Sequence, residues 1–407
     1  MTFQNGATGQ LPGSLWLAGG IANGVGGSAT VTLQSGGKLN AGGFVILAAD
    51  PTDTASLTVT GANSALTAGT SLLVGGNGTV TGGTSSASIL NGGSANIAST
   101  IVVYANSTLT VGSGTTPAAL QGGGGGLLVD GTVNFNSGTL ITAGTLDVGG
   151  TVFLSSRGAS NKKVLDVGSA TLTASGVVDL NDNDMIIRSN QKTYVTQQIR
   201  QARNGGLWNQ AGITSTAAKN NPAHNTTLGV LLGSEYSGAN GGTTTFNGRT
   251  VAATDTLVKY TYYGDTDFNG KVNFDDYVRT DNGFNNHLSG WLNGDFDGNG
   301  AVNFDDYVLI DLAFNTQTGT LGRVIDGLRA GPGADRTIVN ALSGGLASVG
   351  GATEAVAEQV VYEHLAQMGE EYRNSFLTRA VPEPVTGLSL LGITATCVLS
   401  RRTRRRF

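Results

Sequence analysis

The chain has 407 residues, of which 64 are glycine, 13 % are charged, 6 % are aromatic and one, Cys397, is cysteine. With 39 % hydrophobic residues it is too apolar for a disordered polyelectrolyte, the lone thiol excludes a disulfide scaffold, and seven prolines cannot make collagen. A formal net charge of −5 gives a nucleic-acid backbone nothing to attract, and the length suits two or three domains.

Composition is uneven along the chain. Residues 1–150 hold 33 of the glycines but only five charged side chains, Lys38, Asp50, Asp53, Asp130 and Asp147. Short alternating runs such as Thr30-Val31-Thr32-Leu33 and Thr132-Val133-Asn134-Phe135 lie between Gly, Asn and Ser clusters, which is the pattern of many short strands. A weak repeat organises them. Residues 29–48, 55–75 and 87–105 share an alternating strand, a Gly/Asn/Ser turn, a small-residue stretch and a short apolar run, at an offset of about 26 to 32 residues. Units of this size bury their apolar rows by stacking, so a mainly β fold is expected, a right-handed parallel β-solenoid (β-helix) over 1–182, with a β-sandwich as the alternative. The run 122–126 reads as a turn or small insertion; it lacks the GK[ST] ending of a phosphate loop.

Residues 183–259 read as a connecting or capping region. Leu172, Val177, Val178 and Leu180 continue the strand pattern, and 193–203 predicts a short helix. The stretch GGLWNQAGITST at 205–216 resembles the segment between glycine-rich β repeats and C-terminal modules of some secreted bacterial proteins. Its Trp208 reads as a core plug, with a carbohydrate platform as the alternative.

The strongest signal is a duplication. Residues 264–278 (GDTDFNGKVNFDDYV) and 294–308 (GDFDGNGAVNFDDYV) agree at 12 of 15 positions. Each fits a twelve-residue calcium loop. In the first, Asp265, Asp267 and Asn269 take positions 1, 3 and 5, Gly270 makes the sharp turn, Lys271 offers its carbonyl, Asn273 stands at position 9 and Asp276 at position 12. The second repeats this with Asp295, Asp297, Asn299, Gly300, the Ala301 carbonyl, Asn303 and Asp306. All donors are oxygens, which suits two Ca²⁺ ions and argues against zinc. Val272 and Val302 are expected to pair through their backbones, and Phe274, Tyr277 and Val278, like Phe304, Tyr307, Leu309 and Ile310, to begin apolar helical faces. These features over 260–322 resemble a dockerin type I module, which implies two loop-helix units, calcium and a cohesin-like partner. In that family positions 10 and 11 carry recognition, frequently as Ser-Thr; here they are Phe274-Asp275 and Phe304-Asp305, a departure that bears on the partner and leaves the calcium ligands intact.

Beyond the glycine-rich hinges, 333–379 has apolar residues at helical spacing, from Val356 to Phe376, and reads as an amphipathic helix. The segment 380–407 places Pro382, Glu383 and Pro384 before an uncharged run at 385–400 and a cluster of five arginines. A sixteen-residue helix would span about 24 Å, short for a bilayer, but the basic flank orients it with the rest of the chain outside. This combination resembles the PEP-CTERM sorting signal, which implies membrane insertion through a C-terminal helix and processing by an exosortase-type enzyme. Export also needs an N-terminal signal; residues 1–20 contain none, so the true start is expected upstream.

The expectation is therefore a non-enzymatic, exported cell-surface or matrix protein of structural or adhesive role with two calcium sites. The alternative is a dockerin-bearing polysaccharide-degrading or cohesin-binding scaffold component, with surface polysaccharide as a further partner. Four dispersed aspartates and one lysine in 1–150 are a poor supply for β-helical polysaccharide chemistry.

Overall fold

The computed structural model describes residues 1–19, 26–113, 116–157 and 163–318. The amphipathic stretch 333–379, the Pro382-Glu383-Pro384 motif and the segment after it lie outside the described residues. Among the described residues no helix is long and apolar enough to cross a membrane.

The glycine-rich part is a parallel β-solenoid. Each early turn contributes three strands, as in Ser28–Gln34, Lys38–Ala41 and Val45–Leu47, and equivalent strands of successive turns pair in parallel. The alternation seen in the sequence becomes two kinds of column. Val31, Leu57, Ala87, Leu109, Val133, Val152, Val178 and Ile213 are in register one above another and all are buried. Beside them Thr30, Ser56, Ser86, Thr108 and Thr132 form an outward hydroxyl column. Each fully buried aliphatic side chain contributes about 1.5–3 kcal/mol relative to exposure, and small outward residues let the turns stack at strand spacing.

The repeat holds with one adjustment. Ala29 pairs with Ala55, but Ala87 pairs with Leu57 instead of Ala55. A two-residue offset preserves which face points inward, so the hydrophobic column survives where a one-residue slip would have inverted it. The corner after the first strand at residues 90–93 is a tight turn, with Asn91 at φ 51° and Gly92 at φ 85° and the Gly93 N–H on the Leu90 carbonyl, the geometry that favours Asn-Gly. The 122–126 run is likewise a turn, between the strands Ala118–Gly122 and Gly126–Val129.

Both sheets run on into the segment read as connecting. Val177–Asp179 pairs with Gly212–Thr214, and Val164–Leu172 pairs with Asp184–Ile187. There the parallel stacking stops. Thr256–Tyr262 adds to Asp184–Ile187 in antiparallel fashion, and Thr226–Leu232 adds to it in turn. This pair covers the edge that another solenoid turn would otherwise occupy. Arg188 ties the junction, reaching Asp166 at 2.6 Å on the solenoid side and Asp255 at 2.8 Å on the cap. Helix α1 (Lys192–Arg203) inserts Val195 and Ile199 into the solenoid core, and the short helices α2 (Thr216–Asn220) and α3 (Gly233–Ala239) flank the antiparallel pair. Trp208 is 4 % exposed within the same core, so it is a plug and the sugar-platform alternative falls. The chain then enters two loop-helix units ending in α4 (Phe274–Asn285) and α5 (Phe304–Thr316).

Candidate metal centre

Each acidic loop is held at both ends. The first leaves the strand Thr256–Tyr262 through Gly264 at φ 94°, and the second leaves a 3-10 turn, Trp291–Asn293, through Gly294 at φ 102°. A side chain at Gly264 would run into Ile310 and one at Gly294 into Thr280, so glycine is required on both counts. At the other end the loops become N-caps. Asn273 Oδ1 accepts the Asp275 N–H and Asn303 Oδ1 the Asp305 N–H, both at 2.8 Å, while Asp276 and Asp306 reach back to the Asn273 and Asn303 N–H groups. These are capping boxes, and the sequence signal for them, Asn followed three residues on by Asp, lies inside the loop pattern itself.

Within this frame Asp265, Asp267 and Asp276 bring one carboxylate oxygen each to within 4.8 Å of one another, and Asp295, Asp297 and Asp306 do the same. Most of the remaining oxygens are satisfied. Asp265 Oδ2 accepts from the Gly270 N–H and from Thr261, and Asp276 Oδ1 accepts from the Thr266 N–H at 2.9 Å. Asp306 Oδ1 accepts from the Phe296 and Asp297 N–H groups. In each loop the position-1 aspartate is the exception: Asp265 Oδ1 and Asp295 Oδ1 are buried with no hydrogen-bond partner. A buried, unpaired carboxylate oxygen is costly unless it is protonated or met by a positive charge.

The electrostatics agree. Burial lifts the Asp265 carboxyl well above the usual range and raises that of Asp295. Burial also pushes Asp276 up to about 6, and burial with the neighbouring Asp297 charge pushes Asp306 up to about 8. Three acids converging in a poorly solvated space favour either protons or a cation. An all-oxygen donor set without His or Cys suits a hard divalent ion of the calcium kind.

The other predicted ligands take mixed roles. Asn269 Oδ1 accepts the Lys271 N–H and Asn299 Oδ1 the Ala301 N–H, each at 2.9 Å, shaping the turn. Lys271 and Ala301 are exposed. Asn273 and Asn303 act as helix caps.

Two expectations are corrected. Val272 does not pair with Val302: its N–H donates to Gln317 Oε1 at 2.9 Å and its carbonyl accepts from Gln317 Nε2 at 2.8 Å, so a side chain just past α5 takes both groups. The two helices also do not begin with equal apolar faces. Phe274 is 67 % and Val278 62 % exposed, whereas Val308, Leu309 and Ile310 are buried and Phe304 packs on Phe284. The second helix buries more of its side chains than the first.

Several residues that shape the centre escaped the sequence reading. Trp291 donates its indole N–H to the Asp265 carbonyl at 2.7 Å, linking the approach to the second loop with the start of the first. Tyr277 donates to Asp311 at 2.5 Å and Tyr307 to Asp281 at 2.6 Å, a reciprocal exchange between α4 and α5. Both tyrosines and both aspartates recur at the duplication offset, a signal that was available. Arg279 stands 3.6 Å from Asp267 and 3.7 Å from Asp276. Arg203 on α1 donates to Tyr263 at 2.6 Å, joining α1 to the entrance of the first loop. No family model, characterised protein or solved structure matches the chain.

Proposed function

We propose that the chain is a non-enzymatic, exported surface or matrix protein in which the solenoid is a rigid extension and the double-loop unit a calcium-held end piece. The single observation carrying the calcium reading is the pair of orphaned, buried oxygens, Asp265 Oδ1 and Asp295 Oδ1, each at the same position of a carboxylate triad. Asp265, Asp267, Asp276, Asp295, Asp297 and Asp306 are the core ligands, with Asn269 and Asn299 and the carbonyls of Lys271 and Ala301 completing the oxygen sets. Asn273 and Asn303 contribute through the helix caps they form. Bound calcium would supply the charge that the triads lack and so brace the junction; the residues around it hold the loops open for it.

The reading as a dockerin type I-like unit draws support from two loops each followed by a helix, with a strand before the first and a 3-10 turn before the second instead of a leading helix. Exposed Phe274 stands where that family reads its partner, so a cohesin-like protein is the second reading, and surface polysaccharide a further partner. A structural use of the solenoid acids is supported by Asp53, whose carboxylate accepts the Gly27 N–H at 2.7 Å and the Asp50 N–H at 3.0 Å. Delivery to the cell envelope rests on Pro382, Glu383 and Pro384 and the segment after them, with a membrane and an exosortase-type enzyme as the processing partners.

Calorimetric titration with calcium tests the central reading. Two sites are expected in the range of about 10⁻⁴ to 10⁻³ M typical of extracellular modules, one lost in Asp265→Ala and the other in Asp295→Ala. No heat of binding at millimolar calcium would sink it.

A further inference from the structure

The two loops differ in a way that the calcium pattern does not require. Arg279 projects from α4 over the first loop, with Nη1 3.6 Å from Asp267 Oδ2 and 3.7 Å from Asp276 Oδ1. The same nitrogen donates to Thr266 Oγ1 at 3.0 Å, and that hydroxyl donates to Asp276 Oδ1 at 2.6 Å. A guanidinium and a threonine thus bind two of the three carboxylates of the first triad. At the matching positions of the second copy stand Leu309 and Phe296, both buried apolar residues. This arginine-threonine arrangement belongs to the first loop alone, set by one of the three substitutions inside the copies and by the residue just after them. Other cations act at longer range on both triads, Lys259 on Asp265 and Arg203 on Asp297 and Asp306.

We propose that Arg279 is a resident counter-charge of the first loop: it steadies the acids when no metal is bound and weakens that loop's hold on calcium. The inference rests on the calcium reading of the loops. A guanidinium bound to the carboxylates offsets part of their mutual repulsion, which stabilises the empty loop. The same positive charge repels an incoming divalent ion and competes for the oxygens it needs, so calcium must either displace the arginine or bind beside it. Its side chain is 26 % exposed, which leaves it room to turn outward when the ion enters. Arg279 is therefore a positioning residue that sets the calcium threshold of the first site, and with it the concentration at which the junction with the capping strands becomes fully braced.

The experiment isolates the first loop in an Asp295→Ala background and compares Arg279 with Arg279→Leu, the residue of the second copy, and Arg279→Lys. Calcium is titrated by calorimetry, and thermal melting is followed with chelator present. For Arg279→Leu the expected result is calcium binding about tenfold tighter together with a lower melting temperature in chelator, two changes of opposite sense. Arg279→Lys, which keeps the charge, should bind within about threefold of the parent. A residue serving only to pack the helix would lower melting without tightening calcium. Unchanged or weaker calcium affinity in Arg279→Leu overturns the proposal while leaving the calcium reading intact. If the chain with both loops unaltered takes up no calcium, the reading itself fails and the proposal with it. Should Arg279→Leu be unfolded in chelator, its calcium midpoint for refolding, set against that of Arg279→Lys, decides the same question.

Discussion

The first and second acidic loops are near copies in sequence and unlike in setting, and their three differences account for the contrast. At position 4 the first has Phe268 and the second Gly298. Phe268 adopts φ 65° and is buried between Phe246 and Trp291, with ring centroids 6.3 and 6.4 Å away. Gly298 sits against α1, where an added Cβ would lie 3.0 Å from Thr196 Cγ2. At position 2, Thr266 joins the Arg279 network, whereas Phe296 meets Trp291 edge-on at 5.2 Å. Lys271 and Ala301 differ at the exposed turn. The carboxylate spacing tolerates these changes because the three acids of each loop converge on one centre, while the residues that differ decide what each loop packs against. A duplicated acidic pattern thus provides two carboxylate triads, and the residues between the acids attach each to a different neighbour.

The largest expected effect comes from breaking that attachment. Phe268→Ala should destabilise the protein by about 3–5 kcal/mol through loss of a buried ring, only partly offset by any relief at its left-handed backbone. Gly298→Ala, at the same loop position, should cost about 1 kcal/mol or slightly more, since its positive φ and the close Thr196 methyl both resist a side chain. Urea midpoints for the two variants check this, and equal losses would undo the contrast.

Calcium itself should come next, adding about 2.7 kcal/mol per site at a hundredfold excess over the dissociation constant. Its effect should depend on pH with a definite sign. In the metal-free fold Asp276 and Asp306 are raised to about 6 and about 8 from an unfolded value of about 3.9. Folding therefore favours their protonated forms, so their contribution to stability is fully present below about pH 4 and is lost as pH rises through about 6 and then about 8. Melting temperature in chelator should fall across that interval, and the gain on adding calcium should grow, because the ion binds the carboxylates once they are ionised. A chelator melting curve that rises over the same interval would contradict the burial of these two acids.

The smallest effect should separate the reciprocal tyrosines. Tyr277 donates to fully buried Asp311, whereas Tyr307 donates to Asp281 on the surface. Tyr277→Phe should cost about 1–3 kcal/mol and Tyr307→Phe about 0.5–1 kcal/mol, because water can replace the donor only at Asp281. Thermal melts of the two variants compare them directly.

Much of this protein is legible in its amino-acid sequence. The alternation in Thr30-Val31-Thr32-Leu33 assigns each side chain to a face, because strand geometry has a period of two wherever the strand lies. The small residues and turn dipeptides imply stacked turns for an equally local reason. The aspartate spacing located both carboxylate triads, since each lies within twelve consecutive residues and a local loop is enough to bring its acids together. What remained hidden depends on partners far along the chain. Val272 answers to Gln317 and not to Val302, because a side chain reaching from beyond α5 takes both of its backbone groups. Phe274 and Phe304 stand in the same local motif, yet one is exposed and the other packs on Phe284 of α4, a contact with the other unit that the motif itself does not contain. The antiparallel cap at Thr256–Tyr262 and the guanidinium above the first loop belong to the same class. Local periodicity and spacing determined the solenoid and the two carboxylate triads by themselves; burial, the end of the stacking and the inequality of the two loops were decided by tertiary packing, because each depends on which surface a remote segment covers.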